Sequence, residues 1–239
     1  KTSDQIVPVP MDLSVVFEDE HVLVIDKPAG MPVHPSQGHY ENTLANGIAW
    51  YYRNEATPFV FRAVNRLDRD TSGLVLLAKN PYSSCVLSDA VKDHTIHREY
   101  AAIVSGKTDA SGTIDLPIAR KDGSTIERVC DPERGETAVT HYRTFAYNKD
   151  ADISFIRLLL ETGRTHQIRV HMKAIGHPLP GDFLYCPDYR FIDRQPLHST
   201  YLRFSHPVTG EKLEFSASLP EDMRKLFPDI KNPSGPVFF

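Results

Sequence analysis

Apolar and polar positions along this 239-residue chain alternate in short blocks, the signature of strands, and only rarely take helical spacing. Val15–Phe17 and Val22–Ile25 flank the acidic turn Glu18-Asp19-Glu20 and predict a hairpin. Pro28, Gly30, Pro32 and Pro35 then impose a stiff loop from Lys27 to His39. Thr43 is placed to cap a helix running to about Arg53, with Leu44, Ile48 and Tyr51 on one face. Arg62–Leu67 reads as a strand, and Gly73–Lys79 as another, apolar enough to be buried on both faces. Between them Asp68-Arg69-Asp70-Thr71-Ser72 predicts a turn. A helix from Pro81 to about His94 follows, with proline at its first position.

Further along, Tyr100–Val104 has the look of a central strand, and residues 106–136, rich in Gly, Asp, Ser and Thr, predict surface hairpins. Ala138–Tyr147 and Ile153–Leu160 are strands. A helix runs from His166 to Ile175, with Thr165 as its expected cap, Gly176 as its stop and Pro178 beyond. Tyr201–Phe204 and Lys212–Phe215 are strands, Pro220–Phe227 a closing helix and Lys231–Phe239 a loose tail. Many strands with few, interspersed helices predict an α+β fold on a mixed, largely antiparallel sheet flanked by helices. The expected organisation is an N-terminal extension over residues 1–14, one main domain over 15–230 and a tail over 231–239; no break in composition forces a second domain.

Composition narrows the class. With 41% hydrophobic and 24% charged residues the chain is ordinarily globular, which excludes disordered, collagen-like and coiled-coil readings. The longest apolar runs, Val22–Ile25 and Gly73–Ala78, fall far short of the ~20 residues of a membrane span, and no charged-then-apolar leader opens the chain. Cys85, Cys130 and Cys186 have no CxxC spacing, which predicts reduced, buried thiols in a cytoplasmic protein. The net charge is −4, but residues 1–61 hold three basic and eight acidic residues. A polyanionic partner must therefore be held by a local basic cluster rather than by the surface as a whole.

Two windows carry candidate chemistry. Asn65-Arg66-Leu67-Asp68-Arg69-Asp70 places two carboxylates and three guanidinium or amide groups at a strand end, where a rigid sheet presents reactive groups. Asp68 with Asp70 also has the form of a divalent-metal pair, or of nothing more than a solvated turn. The second window, Gly163-Arg164-Thr165-His166-Gln167-Ile168-Arg169, opens a helix directly after a strand and so offers free N–H groups to an anion. Arg169 and Lys173 share one helical face opposite Ile168, Met172 and Ile175, which is equally the pattern of an amphipathic helix with a basic outer side. His166, His171 and His177 share no face, and a zinc site is not expected. Tyr100 by itself reads as a core or rim tyrosine.

Together these windows resemble the RluA-type RNA pseudouridine synthases over roughly residues 14–219. The resemblance is carried by Val24-Ile25-Asp26-Lys27-Pro28-Ala29-Gly30, Asn65-Arg66-Leu67-Asp68-Arg69-Asp70-Thr71-Ser72-Gly73, Arg98-Glu99-Tyr100 and Gly163-Arg164-Thr165-His166-Gln167-Ile168-Arg169-Val170-His171, with Gly181-Asp182 and Leu197-His198 in support. It implies a catalytic domain over 15–230 that isomerises uridine in ribosomal or transfer RNA without cofactor or metal. By the same likeness Asp68 is the catalytic carboxylate, Arg169 its cationic partner and Tyr100 the ring that stacks on the uracil. Arg66 fills the space of a flipped base or holds a phosphate, Ile168 packs on the base, and Arg164, His166 and Lys173 are further RNA contacts. No obligate protein partner and no membrane are implied. The first strand begins near Val15, leaving no room within this chain for the small N-terminal RNA-binding domain such proteins often carry.

One position departs from the family pattern, where Asn65 stands for the usual histidine. Two rival readings remain: a metal-dependent nuclease or phosphotransferase using Asp68 and Asp70, and a catalytically silent RNA-binding module. Sensitivity to chelators distinguishes the first, salt-sensitive binding without chemistry the second.

Overall fold

The computed structural model describes residues 6–36, 38–54, 59–230 and 235–238. The chain divides into two compact units, Lys1–Ile96 with Leu202–Ala217, and His97–Tyr201 with Ser218–Phe239.

In the first unit, strands β1 (Ser14–Glu18) and β2 (Val22–Lys27) form the expected hairpin, its turn held by Asp19, whose carboxylate accepts from the N–H groups of His21 and Val22. Helix α1 (Leu44–Tyr51) starts at Thr43, which makes a reciprocal capping box with Asn46. Strand β3 (Ser72–Ala78) pairs antiparallel with β2 and is buried along its whole length, as its unbroken apolar run requires. Helix α2 (Pro81–Lys92) has Asn80 as its cap and proline in its first turn. Val22, Val24, Leu74, Leu76 and Leu87 pack with Leu202 and Phe204 to make this unit's core.

The second unit is built on β4 (His97–Ser105), β5 (Ser111–Asp115), β8 (Val139–Asn148) and β9 (Ile153–Leu160), in the order β4-β9-β8-β5 with antiparallel neighbours. The ribbon β6 (Ile118–Arg120) and β7 (Arg128–Cys130) is the hairpin expected within residues 106–136. Helix α3 (Gln167–Ala174) follows β9, and strand β10 (Leu197–Ser205) lies beside β4 here and beside β3 in the first unit, where β11 (Lys212–Ser216) pairs with it. The short helix α4 (Glu221–Arg224) supplies Met223 to a core with Ile103 and Phe155. The sheet is mixed and largely antiparallel, as the pattern predicted.

Five expectations change. Arg62–Leu67 is not a regular strand: its pairing with β3 is a single bridge, Ala63 with Leu77, flanked by two bonds, because the Asn65 side chain then takes the place of backbone. Thr165 does not cap α3; His166 is the cap residue, in a left-handed conformation at φ 57° and without a side-chain cap bond. The helix has no basic outer face at Arg169, since every residue from Gln167 to Met172 is buried. Cys85 is exposed and Cys130 and Cys186 half-exposed, all three as free thiols. Residues 235–238 are docked rather than loose, the N–H groups of Val237 and Phe238 donating to the buried Glu99 carboxylate; Lys231–Ser234 and Phe239 lie outside the described residues.

Candidate active site

Asp68 sits in the first unit on the turn that joins the Asn65 segment to β3, its carbonyl accepting from Thr71 N at 3.2 Å. Two braces hold that turn. Asn65 is buried, and its side-chain amide behaves as one more peptide of the ladder, Nδ2 donating to Leu74 O at 3.1 Å and Oδ1 accepting from Leu76 N at 2.8 Å. Lys27, 0% exposed, ends β2, and its ammonium donates to Pro28 O (2.8 Å), Met31 O (2.7 Å) and Arg69 O (3.1 Å). One buried charge thereby ties the proline-rich loop to the residue after Asp68. An ammonium has three donors, and a compact cation surrounded by carbonyls suits the interior better than one facing a hydrocarbon wall.

Around this turn the side chains divide. Arg69 forms a bidentate pair with Asp70, Nε to Oδ1 at 2.9 Å and Nη2 to Oδ2 at 2.8 Å, which engages the second carboxylate of the supposed metal pair. Among the described residues no group of three or more His, Cys, Asp or Glu is arranged to hold a metal ion. Asp68 is half-buried and Arg66 exposed. His34 stands edge-on to Phe61 at 4.8 Å, and burial, then the Arg66 charge, hold its imidazole below the usual histidine range.

In the second unit Tyr100 lies buried on β4 opposite Leu158 of β9. Arg169 enters from α3 and is 2% exposed; it forms a fork with Asp182, itself 0% exposed, through Nε to Oδ2 at 2.6 Å and Nη2 to Oδ1 at 2.7 Å. The Asp182 Oδ1 also accepts from the N–H groups of Leu184 and Tyr185, which holds the carboxylate plane still. The Arg169 guanidinium lies 5.0 Å from the centre of the Tyr185 ring and 5.7 Å from that of Phe183. The Tyr185 hydroxyl bonds His166 Nδ1 at 2.9 Å and accepts from Arg128 N at 2.9 Å; burial pushes its pKa up to about 12, so it remains a neutral donor.

Each predicted site residue therefore has a definite place. Asp68 and Arg66 lie on the braced turn, and Tyr100, Ile168 and Arg169 are buried in the second unit. Arg164 is exposed, donating from Nε to Thr137 O and pairing with Glu136. His166 is engaged with Tyr185, and Lys173 is exposed with its ammonium 5.5 Å from the Tyr185 ring. The bracing role of Lys27 and the part of Asp182 in fixing Arg169 escaped the sequence reading. Lys27 had a signal, a charged residue closing a strand of core residues just before a proline; Asp182 had only its place in the matching Gly181-Asp182 segment, which does not name a partner thirteen residues away.

The α+β fold on a mixed, largely antiparallel sheet is the one expected of an RNA pseudouridine synthase. Comparison with known sequences agrees: the RNA pseudouridylate synthase family matches residues 21–174, a span that includes Asp68, Tyr100 and Arg169. The chain belongs to this family. It is 45% identical over 227 residues to an uncharacterized RNA pseudouridine synthase, YjbO, of Bacillus subtilis, covering 95% of this chain and 79% of that protein. It is 42% identical to the ribosomal large subunit pseudouridine synthase D of Zymomonas mobilis, covering 92% of this chain and 73% of the relative. Among solved structures, human RNA pseudouridylate synthase domain containing 1 superposes with a TM-score of 0.71 at 26% identity, covering 86% of this chain and 83% of the other.

Proposed function

We propose that this protein converts a uridine in large-subunit ribosomal RNA to pseudouridine, with Asp68 as the acting carboxylate, Tyr100 as the ring against the uracil and Arg169 as the carboxylate's cationic partner. The observation that carries this reading is the Asp68 turn, held from two sides by a buried lysine and a buried amide inside the segment that matches the family. A catalytic group needs such a support, because an error of an ångström in placement is costly to the rate. The relative named for the large ribosomal subunit supports the choice of RNA.

In the reaction the N1–C1′ glycosidic bond breaks and the uracil turns. A C5–C1′ bond then forms, the C5 proton leaves to solvent and N1 takes up a proton, so no oxidant or co-reactant is needed. The target base must first leave its stack, which costs a few kcal/mol and least in loops. Arg66, exposed on the turn, suits the vacated space or a neighbouring phosphate. On this reading the reaction is cofactor-free and takes place in the cytoplasm.

Tritium release from RNA labelled at uridine C5 tests this, using unmodified ribosomal and transfer RNA pools. Release from ribosomal RNA is expected to survive EDTA and to fall at least ~10³-fold, about 4 kcal/mol, in Asp68→Asn. Undiminished release in that variant removes Asp68 from the reaction, and loss on chelation favours the metal-dependent alternative. Release from transfer RNA alone changes the substrate.

A further inference from the structure

Arg98 is 9% exposed, yet among the described residues it has neither a hydrogen bond nor an ion pair, and its Nε is sealed from solvent without a partner. Other buried arginines of this unit have a carboxylate: Arg169 has Asp182, and Arg157 has Glu99, although Arg157 Nε and Nη1 are also buried without a bond. The carboxylates near Arg98 in sequence or along the adjoining loop are committed elsewhere. Glu99 points to the opposite side of β4, toward Arg157, His97 and the N–H groups of Val237 and Phe238. Glu161 is bonded to His141, and Glu136 to Arg164. A guanidinium is a permanent cation near neutral pH, and among the described residues this buried one has no counter-charge.

What faces it is Gly163, where even a first side-chain carbon would come within 3.6 Å of Nη1 and Nη2. Glycine leaves this end of the guanidinium uncovered. The loop containing Gly163 runs on to the start of α3, where the cap residue His166 makes no side-chain cap bond, and the positive end of the helix dipole lies a few residues along the chain. On β4 Arg98 and Tyr100 are two residues apart and point the same way, about 6.7 Å from one another along the strand. That is close to the reach from a nucleotide's base to its own phosphate.

We infer that Arg98, with the Gly163 loop, forms a phosphate subsite for the RNA backbone at the nucleotide whose base lies against Tyr100. This rests on the isomerase reading for the identity of the anion, but not for its charge. The planar Nη1/Nη2 end of a guanidinium matches a phosphodiester's oxygens better than a point charge does. A resident carboxylate would compete with such a phosphate.

The test uses Arg98→Met and Arg98→Lys in the full chain. Thermal unfolding is measured in inorganic phosphate and in chloride of equal ionic strength, and initial rates of tritium release are measured against RNA concentration. A subsite predicts that wild type is stabilised by phosphate and that Arg98→Met unfolds at the same or a higher temperature in chloride while losing the phosphate effect. It also predicts a KM for RNA raised roughly tenfold or more in Arg98→Met, with Arg98→Lys between the two. If Arg98→Met instead unfolds at lower temperature, or not as a folded protein at all, and Arg98→Lys keeps the wild-type KM and shows no change with phosphate, the residue is a packing element and the subsite is wrong. Phosphate stabilisation that depends on Arg98, without tritium release from any RNA, upholds the subsite and removes the isomerase. Normal release without an Arg98-dependent phosphate effect or KM change does the reverse.

Discussion

Asn65 shows how much one side chain decides. Its carboxamide presents donor and acceptor on one end, as a peptide group does, and so continues the β3 ladder for one more step while the backbone turns away. The histidine usual in this position offers a donor and an acceptor on separate ring atoms, with a different reach. Asn65→Leu leaves the Leu74 carbonyl and the Leu76 N–H buried without partners and is expected to cost about 2–4 kcal/mol in urea unfolding. Asn65→His, which keeps both bonding capacities, is expected to retain most of the activity; loss as complete as in Asp68→Asn means that the amide itself takes part in the reaction. His171 makes a second prediction at this scale. Fully buried, it donates from Nε2 to Leu116 O and accepts at Nδ1 from Thr140, and burial is the main cause that holds its pKa below the usual value. The folded state therefore keeps it neutral while the unfolded chain takes up a proton near pH 6.5. Its contribution is complete above that pH and is lost on acidification, by up to ~1.4 kcal/mol per pH unit, until the folded pKa is passed. Urea unfolding between pH 7.5 and 5 is expected to show this loss, with a shallower slope in His171→Gln; identical slopes mean that another group titrates.

Among the elements, α3 is where periodicity misleads. Arg169 and Lys173 lie four apart and look like a solvated basic side, yet Lys173 is exposed and Arg169 is sealed. The difference arises from the loop beyond the helix, which brings Asp182 beneath Arg169. That placement depends on Gly181, whose φ is +78° and where a side-chain carbon would lie 2.5 Å from the carbonyl oxygens of both Ile192 and Arg194. No rotamer relieves a clash with backbone, so Gly181→Ala is expected to cost about 3 kcal/mol and to reduce activity by disturbing the Asp182–Arg169 fork. Thermal unfolding and tritium release together check this; full activity at wild-type stability means that the fork tolerates displacement. The failed strand at Arg62–Leu67 belongs to the same scale, since alternation of side chains survives there, with Asn65 and Leu67 buried and Arg66 exposed, after regular pairing has ended.

For the whole molecule, charge sets how RNA is held. A net charge of −4, with the acidic excess in the first 61 residues, leaves binding to a few cations placed at the site. Affinity of the Asp68→Asn protein for substrate RNA is expected to fall with salt at a log–log slope of only about 2–4. Arg66→Ala is expected to reduce that slope by about 1. A slope near ten in filter binding indicates instead a broad basic surface elsewhere. The family and its fold were legible in the sequence, because strand alternation, glycine and proline punctuation and the spacing of motif residues are local properties of a sequence. The roles proposed for Asp68, Tyr100 and Arg169 come from the family resemblance. Partnership was not legible: that Lys27 is saturated by three carbonyls, that Asp182 pairs with Arg169, and that Arg98 pairs with no described residue depend on which loops meet in space. Such meetings are determined by packing among segments far apart along the chain, and tertiary structure alone decides whether a buried charge is balanced or left waiting for a ligand.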